Sequence, residues 1–432
     1  MVQLILTIWL LLIVVLSFIK IKWGLTAFIM YFILIPGFNI GIPGLGSGQN
    51  VIMLLILLAY FFQSIKLHFK TDLYFFSPFI AFAISKLIVI PFQEMPISEN
   101  IDYFRKWLID SLTIPLIIFN VIKNDRSSLV LFRNTIILCI TITIAYGLYL
   151  TTTGGINPYT TYMAQILNTW KDFYEEYYSA EGTGRIFGRI SSVFQHPMTF
   201  AMFLGGSIVY LIFLLSIKKN TILLITLLSA IILSLICGVR SVLGGLIVAV
   251  VLYLIVTKKV KILIYCALTI SVFYYVISIL STDFFVYLQS ITTTSSDIKG
   301  SSMESRYIQL EGAIDIMKKN PIFGMGADWV SYYLDTHGNH PVCLAFESLI
   351  FVVLCNSGIF GCFVWCYIIL KYIYINKKKK VLNYNIINML LFFYISYSCI
   401  TGEYGYMKYF LLFYSLMLGE SYYNKNILLL KK

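Results

Sequence analysis

Arg240 is the only charged residue in the stretch LSLICGVRSVLGGLIVAV, residues 233–250. A lipid-facing arginine at the bilayer centre costs roughly 2.5–3.5 kcal/mol on insertion scales. Two readings fit it. It offers a guanidinium from a partly dry site to a phosphate or other oxyanion, or it snorkels to the interface. Gly238 permits a tight turn just before it, and Ser241 is placed to cap the helix that follows. A second cationic stretch, GTGRIFGRISSVFQHPMTFAMFLGG, carries Arg185 and Arg189 ahead of His196 and Pro197. Proline is tolerated in a first helical turn, so a helix is expected to begin there. His196 reads most simply as a hydrogen-bonded structural histidine.

The third stretch is SSMESRYIQLEGAIDIMKKNPIFGMG. Ser301 and Glu304 have capping-box spacing. Tyr307, Leu310, Ile314 and Met317 follow at helical spacing, as a face laid on the membrane interface or on other helices. Lys318 and Lys319 suit the C-terminal end of the helix dipole, whereas Arg306 in the first turn does not. Pro321 ends the helix, and Gly324 and Gly326 allow a close backbone turn. The fourth stretch, DTHGNHPVCLAFESLIFVVLCNSGIFG, holds Asp335, His337, His340 and Glu347. Histidine titrates near neutrality, and a half-buried glutamate is shifted toward it, so acid–base work is the natural use. His337 and His340 lack a third ligand at metal-binding spacing. Residues 157–178 are rich in tyrosine and carry Asp172, Glu175 and Glu176; sugar stacking and an ordinary interfacial aromatic belt fit them equally.

The elements that must position these residues are membrane helices. The chain of 432 residues is 59% hydrophobic and 12% charged, against about 25% charged for a soluble domain. The apolar blocks are continuous, so helices rather than strands are expected. The fold class is an all-α polytopic bundle of about 12–13 helices, each near the ~20 residues that cross a bilayer. The spans fall at about 2–19, 23–40, 50–65, 73–92, 106–122, 129–150, 193–217, 220–237, 240–257, 261–280, 344–375 and 383–401, with a thirteenth over 406–422. Residues 2–19 read as the first span, since they lack a basic leader and a cleavage site. The eight cysteines show no paired spacing, which suggests neither a disulfide framework nor a metal site.

Lysines fall on alternate connections: Lys20 and Lys22, Lys66 and Lys70, Lys123, Lys218 and Lys219, Lys258 and Lys259, Lys377 to Lys380. The positive-inside rule puts these in the cytoplasm. They account for much of the net charge of +12 without nucleic acid. The other face receives the glycine-rich loop 41–50, segment 91–105, loop 151–190, the turn at Gly238 and loop 281–341. The whole, residues 1–432, is read as one polytopic domain with 151–190 and 281–341 as its long outer loops. Loops of that length are often functional, so the outer face is the expected working side.

In this order, the four stretches are similar to the O-antigen polymerase and O-antigen ligase family of bacterial surface-polysaccharide enzymes. The carrying motifs are GRISSVFQHPMTFAMFLGG, CGVRSVLGG, ESRYIQLEGAIDIMKKNPIFGMGADW and HPVCLAFESLIFVVLCNSGIFG. The resemblance implies metal-independent, inverting glycosyl transfer with no cofactor, on the outer face of the bacterial inner membrane. It implies a saccharide on undecaprenyl diphosphate as donor, contact with membrane lipid, and a flippase and chain-length regulator as partners. Arg240 then looks like the family arginine that engages the diphosphate, with Arg189 and Arg306 matching two others. Arg185, His196 and His337 join them as candidate diphosphate or glycan contacts. The ligases carry a histidine ahead of a Gly-x-x-Gly; Gly358 and Gly361 put that position here at Glu347. This departure leaves Glu347 and His340 as alternative bases and favours polymerase over ligase. A flippase or other transporter is the reading of a different class. Lys86 in span four and Asp110 in span five are the residues that suit it.

Overall fold

Several helices are started by a side chain that satisfies an otherwise orphaned N–H. Asp125 Oδ1 accepts from Ser127 N at 2.9 Å and Asn220 Oδ1 from Ile222 N at 2.8 Å. Ser348 Oγ accepts from Ile350 N at 3.3 Å, and His196 Nδ1 from Met198 N at 3.1 Å. The computed structural model describes residues 2–35, 41–42, 46–166, 188–259, 261, 303–338, 347–403 and 405–430. Its helices are α1 (Val2–Ile19), α2 (Ile21–Leu34), α3 (Gly48–Lys66), α4 (Ser77–Val89), α5 (Ile97–Asn124), α6 (Arg126–Thr152), α7 (Pro158–Ile166) and α8 (Pro197–Ile217). They continue with α9 (Thr221–Ile236), α10 (Arg240–Val256), α11 (Met303–Lys319), α12 (Trp329–His337), α13 (Leu349–Lys378), α14 (Tyr384–Thr401) and α15 (Met407–Leu430). A two-residue antiparallel pairing, Gly41–Ile42 with Gly46–Ser47, is the exception to an all-helical fold among the described residues.

Five helices, α5, α6, α8, α13 and α14, are long and apolar enough to cross a membrane, and shorter apolar helices pack beside them. The protein is thus a multi-pass helical membrane bundle. Its centre is α8 and α15, whose faces are buried nearly all round, whereas α9 keeps Ile222, Ile225 and Leu228 exposed for lipid. Buried and half-buried tyrosines tie helices together through their hydroxyls. Tyr397 donates to Met198 O at 2.6 Å, Tyr372 to Ile387 O at 3.1 Å and Tyr423 to Ile122 O at 2.7 Å.

The connections gather at two opposite ends. At one, Lys22 Nζ meets Asp125 Oδ2 at 2.9 Å, Lys123 Nζ meets Asp72 Oδ2 at 2.7 Å, and Asn383 Nδ2 donates to Ser216 Oγ at 2.6 Å. At the other, Tyr159 OH donates to Leu34 O at 2.8 Å and Ile190 N to Cys237 O at 3.0 Å. That is the alternation the lysines require. A helix, α15, covers the segment 406–422 expected as a thirteenth span, while the span expected at 261–280 falls almost wholly outside the described residues.

Several expectations need correction. Segment 91–105 is helical from Ile97, because α5 begins well before the expected span. Within it, Leu108–Thr113 widens to a π turn. Pro115 is the physical cause: it has no N–H for the carbonyl of Ser111, and its ring crowds that carbonyl in a regular helix. Ser241 does not cap α10; Val239 holds the N-cap position without a side-chain cap, and Ser241 is buried in the first turn. Of the two readings of the α11 stripe, packing on other helices fails at Tyr307, which is 65% exposed, while Ala313 and Ile316 are buried instead; a face on the membrane interface still fits. Finally, α13 starts at Leu349 and is broken at Gly358, with φ 58° and ψ −154°.

Candidate functional site

The break in α13 is built by the chain segment that follows α11. Ile359 N donates to Pro321 O and Phe360 N to Ile322 O, both at 3.0 Å. In return Met325 N donates to Cys355 O at 2.8 Å and Gly326 N to Asn356 O at 3.2 Å. Irregular backbone at membrane depth survives only where protein or a cavity satisfies it, and here residues 321–326 do so. Gln93 Nε2 adds bonds to Phe323 O at 2.8 Å and Asn356 O at 3.0 Å. Asn100 orients that glutamine, donating to Gln93 Oε1 at 2.8 Å, and also accepts from Ala327 N at 2.7 Å. A Cβ at Gly358 would sit 2.6 Å from Pro321 O and 2.7 Å from Ile322 O, so the crossing requires glycine there.

The turn ahead of α10 forms a second locus. Gly238 takes φ +70°, and a Cβ there would run into Gly188 O and lie 3.4 Å from Arg189 Cα. The strand-like hydrogen bond from Ile190 to Cys237 fixes Arg189 beside this turn, directly before Arg240. His196 belongs to the same locus: burial, with Arg189 adding to it, pushes its pKa down to about 4. It is therefore a neutral helix cap at ordinary pH, which agrees with its structural reading. The structure thus sets the Arg189 backbone against the turn that leads into Arg240, with His196 in electrostatic reach of Arg189. Arg185 lies outside the described residues.

Arg306 reaches the same end of the bundle from α11, donating to Ile400 O at 3.2 Å in the last turn of α14. A cation at a helix C-terminus is favourable, which explains an arginine that suits its own helix dipole poorly. One turn on, Gln309 Oε1 accepts from Glu347 N at 3.0 Å. Glu347 is half-buried and stands just before α13 rather than in it. His337 is exposed at the end of α12, its ring 4.7 Å from Tyr333 and stacked on it. His340 lies outside the described residues, as do Asp172, Glu175 and Glu176.

Residues weighed only as transporter features turn out to line a cavity of about 440 Å³. Lys86 and Asp110 are joined there by Lys106, Asp328, Glu403 and Lys408, with Asn356 and Ser357 from the broken helix. Lys86 Nζ sits 4.9 Å over the Trp107 ring and faces the carboxylates of Asp328 and Glu403. Lys408 faces Asp110 and Glu403. Burial pushes the Asp328 carboxyl up, against a Ser331 hydrogen bond and the charge of Lys86. Glu403 is held by Met407 N at 2.9 Å at the start of α15. No sequence spacing links positions this far apart; the one signal was charge inside apolar spans.

Residues 222–366 match the family described as O-antigen ligase. This segment belongs to the O-antigen polymerase and ligase family. It takes in Arg240, Arg306, His337, His340, Glu347 and the break at Gly358, and it leaves out Arg185, Arg189, His196 and most of the cavity's charges. No curated protein matches the chain. Among the described residues no cluster of histidine, cysteine, aspartate and glutamate is suited to a metal ion.

Proposed function

We propose that this membrane protein polymerises oligosaccharide repeat units carried on undecaprenyl diphosphate into surface polysaccharide. The reaction belongs at the outer face of the bacterial inner membrane. The observation that carries the reading is the packing of the Arg189 backbone against the Gly238 turn, two residues ahead of Arg240, with Arg306 at the same end of the bundle. Guanidiniums preorganised in a partly dry site stabilise the charge that grows on a departing diphosphate. The anomeric C–O bond to the diphosphate breaks as an acceptor sugar hydroxyl forms the new glycosidic bond. The hydroxyl proton passes to Glu347 or His340, and one displacement inverts the anomeric carbon. Glu347 suits that role through its place beside α11, the helix that carries Arg306. Arg185, His196 and His337 are assigned to the periphery of the glycan path. A flippase that delivers the repeat units and a chain-length regulator are the proposed partners.

The second reading is a ligase that moves finished glycan to lipid A core or protein, and the family match fits both readings. Both use the same leaving group and differ in acceptor. The test is the lipid-linked glycan profile of cells lacking the protein. Single repeat units accumulating on the outer leaflet support a polymerase; full-length polymer left on undecaprenyl diphosphate supports the ligase. Repeat units held on the inner leaflet sink both and favour a flippase.

A further inference from the structure

The cavity between α4, α5, α12, α13 and α15 has no part in leaving-group chemistry, yet it is assembled at considerable cost. It lies against the π turn of α5 and the break in α13, and it gathers six lysine, aspartate and glutamate side chains. Intramembrane charges of this kind mark a site by default. The cations Lys86, Lys106 and Lys408 are matched by Asp110, Asp328 and Glu403. A pocket for a diphosphate needs an excess of cation, and this one has none. Two of its acceptors, Asp110 Oδ1 and Asn356 Oδ1, are buried and accept no hydrogen bond among the described residues. Asn356 is itself only 7% exposed. Buried acceptors left without a donor are costly, so they point to a ligand that brings donors. Trp107, Trp365 and Tyr103 form apolar walls beside them, and the volume falls in the ~300–1,000 Å³ range of small-ligand sites.

We infer that this cavity binds the hydroxyl-rich end of a saccharide, the acceptor of the glycan transfer proposed above, on which reading the acceptor role rests. Sugar hydroxyls donate to Asp110, Asp328 and Asn356 and accept from the lysines, while the pyranose C–H face lies on the aromatic wall. Glu403, on the cavity wall, lies just beyond the end of α14 that receives Arg306. Donor diphosphate and acceptor sugar therefore approach from two sides of one helix end.

The experiment is equilibrium dialysis of the purified full-length protein in detergent. The probe is end-labelled oligosaccharide released by mild acid from the source cell's own surface polysaccharide. Wild type is expected to bind. Asp328→Asn, which keeps the shape, and Val352→Trp, which fills the cavity, each weaken binding about tenfold or more, while Arg240→Ala leaves it within about twofold. Thermal unfolding of each variant identifies any that has lost its fold; Asp328→Asn with a wild-type midpoint decides the matter. Absence of binding to wild type overturns the inference, as does loss with Arg240→Ala alone or equal binding by all variants. The glycan profile of the deletion strain is a separate readout. If it fails while dialysis succeeds, the cavity holds sugar but the transfer reading falls.

Discussion

Gly358→Ala is the substitution whose cost is best determined by the structure. Alanine at φ 58° and ψ −154° occupies a region that is essentially glycine's own, a strain of about 1–3 kcal/mol. Its methyl group would also meet Pro321 O at 2.6 Å and Ile322 O at 2.7 Å. Those carbonyls accept the hydrogen bonds from Ile359 and Phe360, so moving them weakens two bonds worth about 0.5–1.5 kcal/mol each. The sum is about 2–6 kcal/mol, concentrated where residues 321–326 cross α13. Amide hydrogen exchange followed by mass spectrometry, on protein in detergent, reads this directly. Peptides covering 355–360 and 321–326 are expected to exchange at least about thirty-fold faster, since about 1.4 kcal/mol is a factor of ten. Peptides from α8 should change little. Unchanged exchange at 355–360, with an unchanged unfolding midpoint, would refute the account of the broken helix.

Other expectations concern charge. Arg240→Ala should abolish complementation of a deletion strain and Arg240→Lys restore only part of it, as scored by the length of surface glycan, because a lysine cannot reproduce a bidentate guanidinium. His196 has its folded pKa, about 4, below the unfolded value near 6.5. Its stabilising contribution is therefore complete above pH ~6.5 and is lost as pH falls toward ~4, where the unfolded chain binds the extra proton. His196→Asn keeps the cap and should flatten that part of an unfolding-midpoint profile. A cysteine introduced at Lys219 should react with a membrane-impermeant maleimide only after the cytoplasmic side is opened. One introduced at Pro96, in the first turn region of α5, should react in intact spheroplasts.

Local signals in the sequence translated well where the physics is local. Apolar length with lysines on alternate connections gives the helix order and the two ends of the bundle, and His-Pro marks the start of α8. The family resemblance is matched over residues 222–366. What stayed hidden is non-local. Gly324, Gly326, Gly358 and Gly361 each read as turn-permissive or as part of a motif, yet nothing in the string says that residues 321–326 and 355–360 bond to each other. Lys86 and Asp110 stood out as intramembrane charges, but their partners Asp328, Glu403 and Lys408 lie hundreds of positions away. Arg306 opposes its own helix dipole, which the sequence shows; its target, the last turn of α14, is a tertiary fact. On α11 the period alone does not say which face meets protein: the helix packs on its small side at Gly312 and Ala313, and Tyr307 of the apolar stripe stays exposed.

Tyrosine hydroxyls that reach backbone carbonyls of other helices have a consequence for how deep the arginines sit. Between helices in lipid there is little hydrophobic force to resist one rod sliding along another. The bond from Tyr397 to Met198 O is a crossbar between the C-terminal end of α14 and the N-terminal end of α8. It holds the carbonyl end of α14, where Arg306 lands, level with the cap of α8, where His196 and Arg189 lie. A slip of one turn would carry α14 about 5.4 Å along its axis and take the Ile400 carbonyl away from Arg306 on α11. In this bundle the Tyr397 phenol acts as a spirit level, holding the carbonyl end of α14 at the height of the α8 cap.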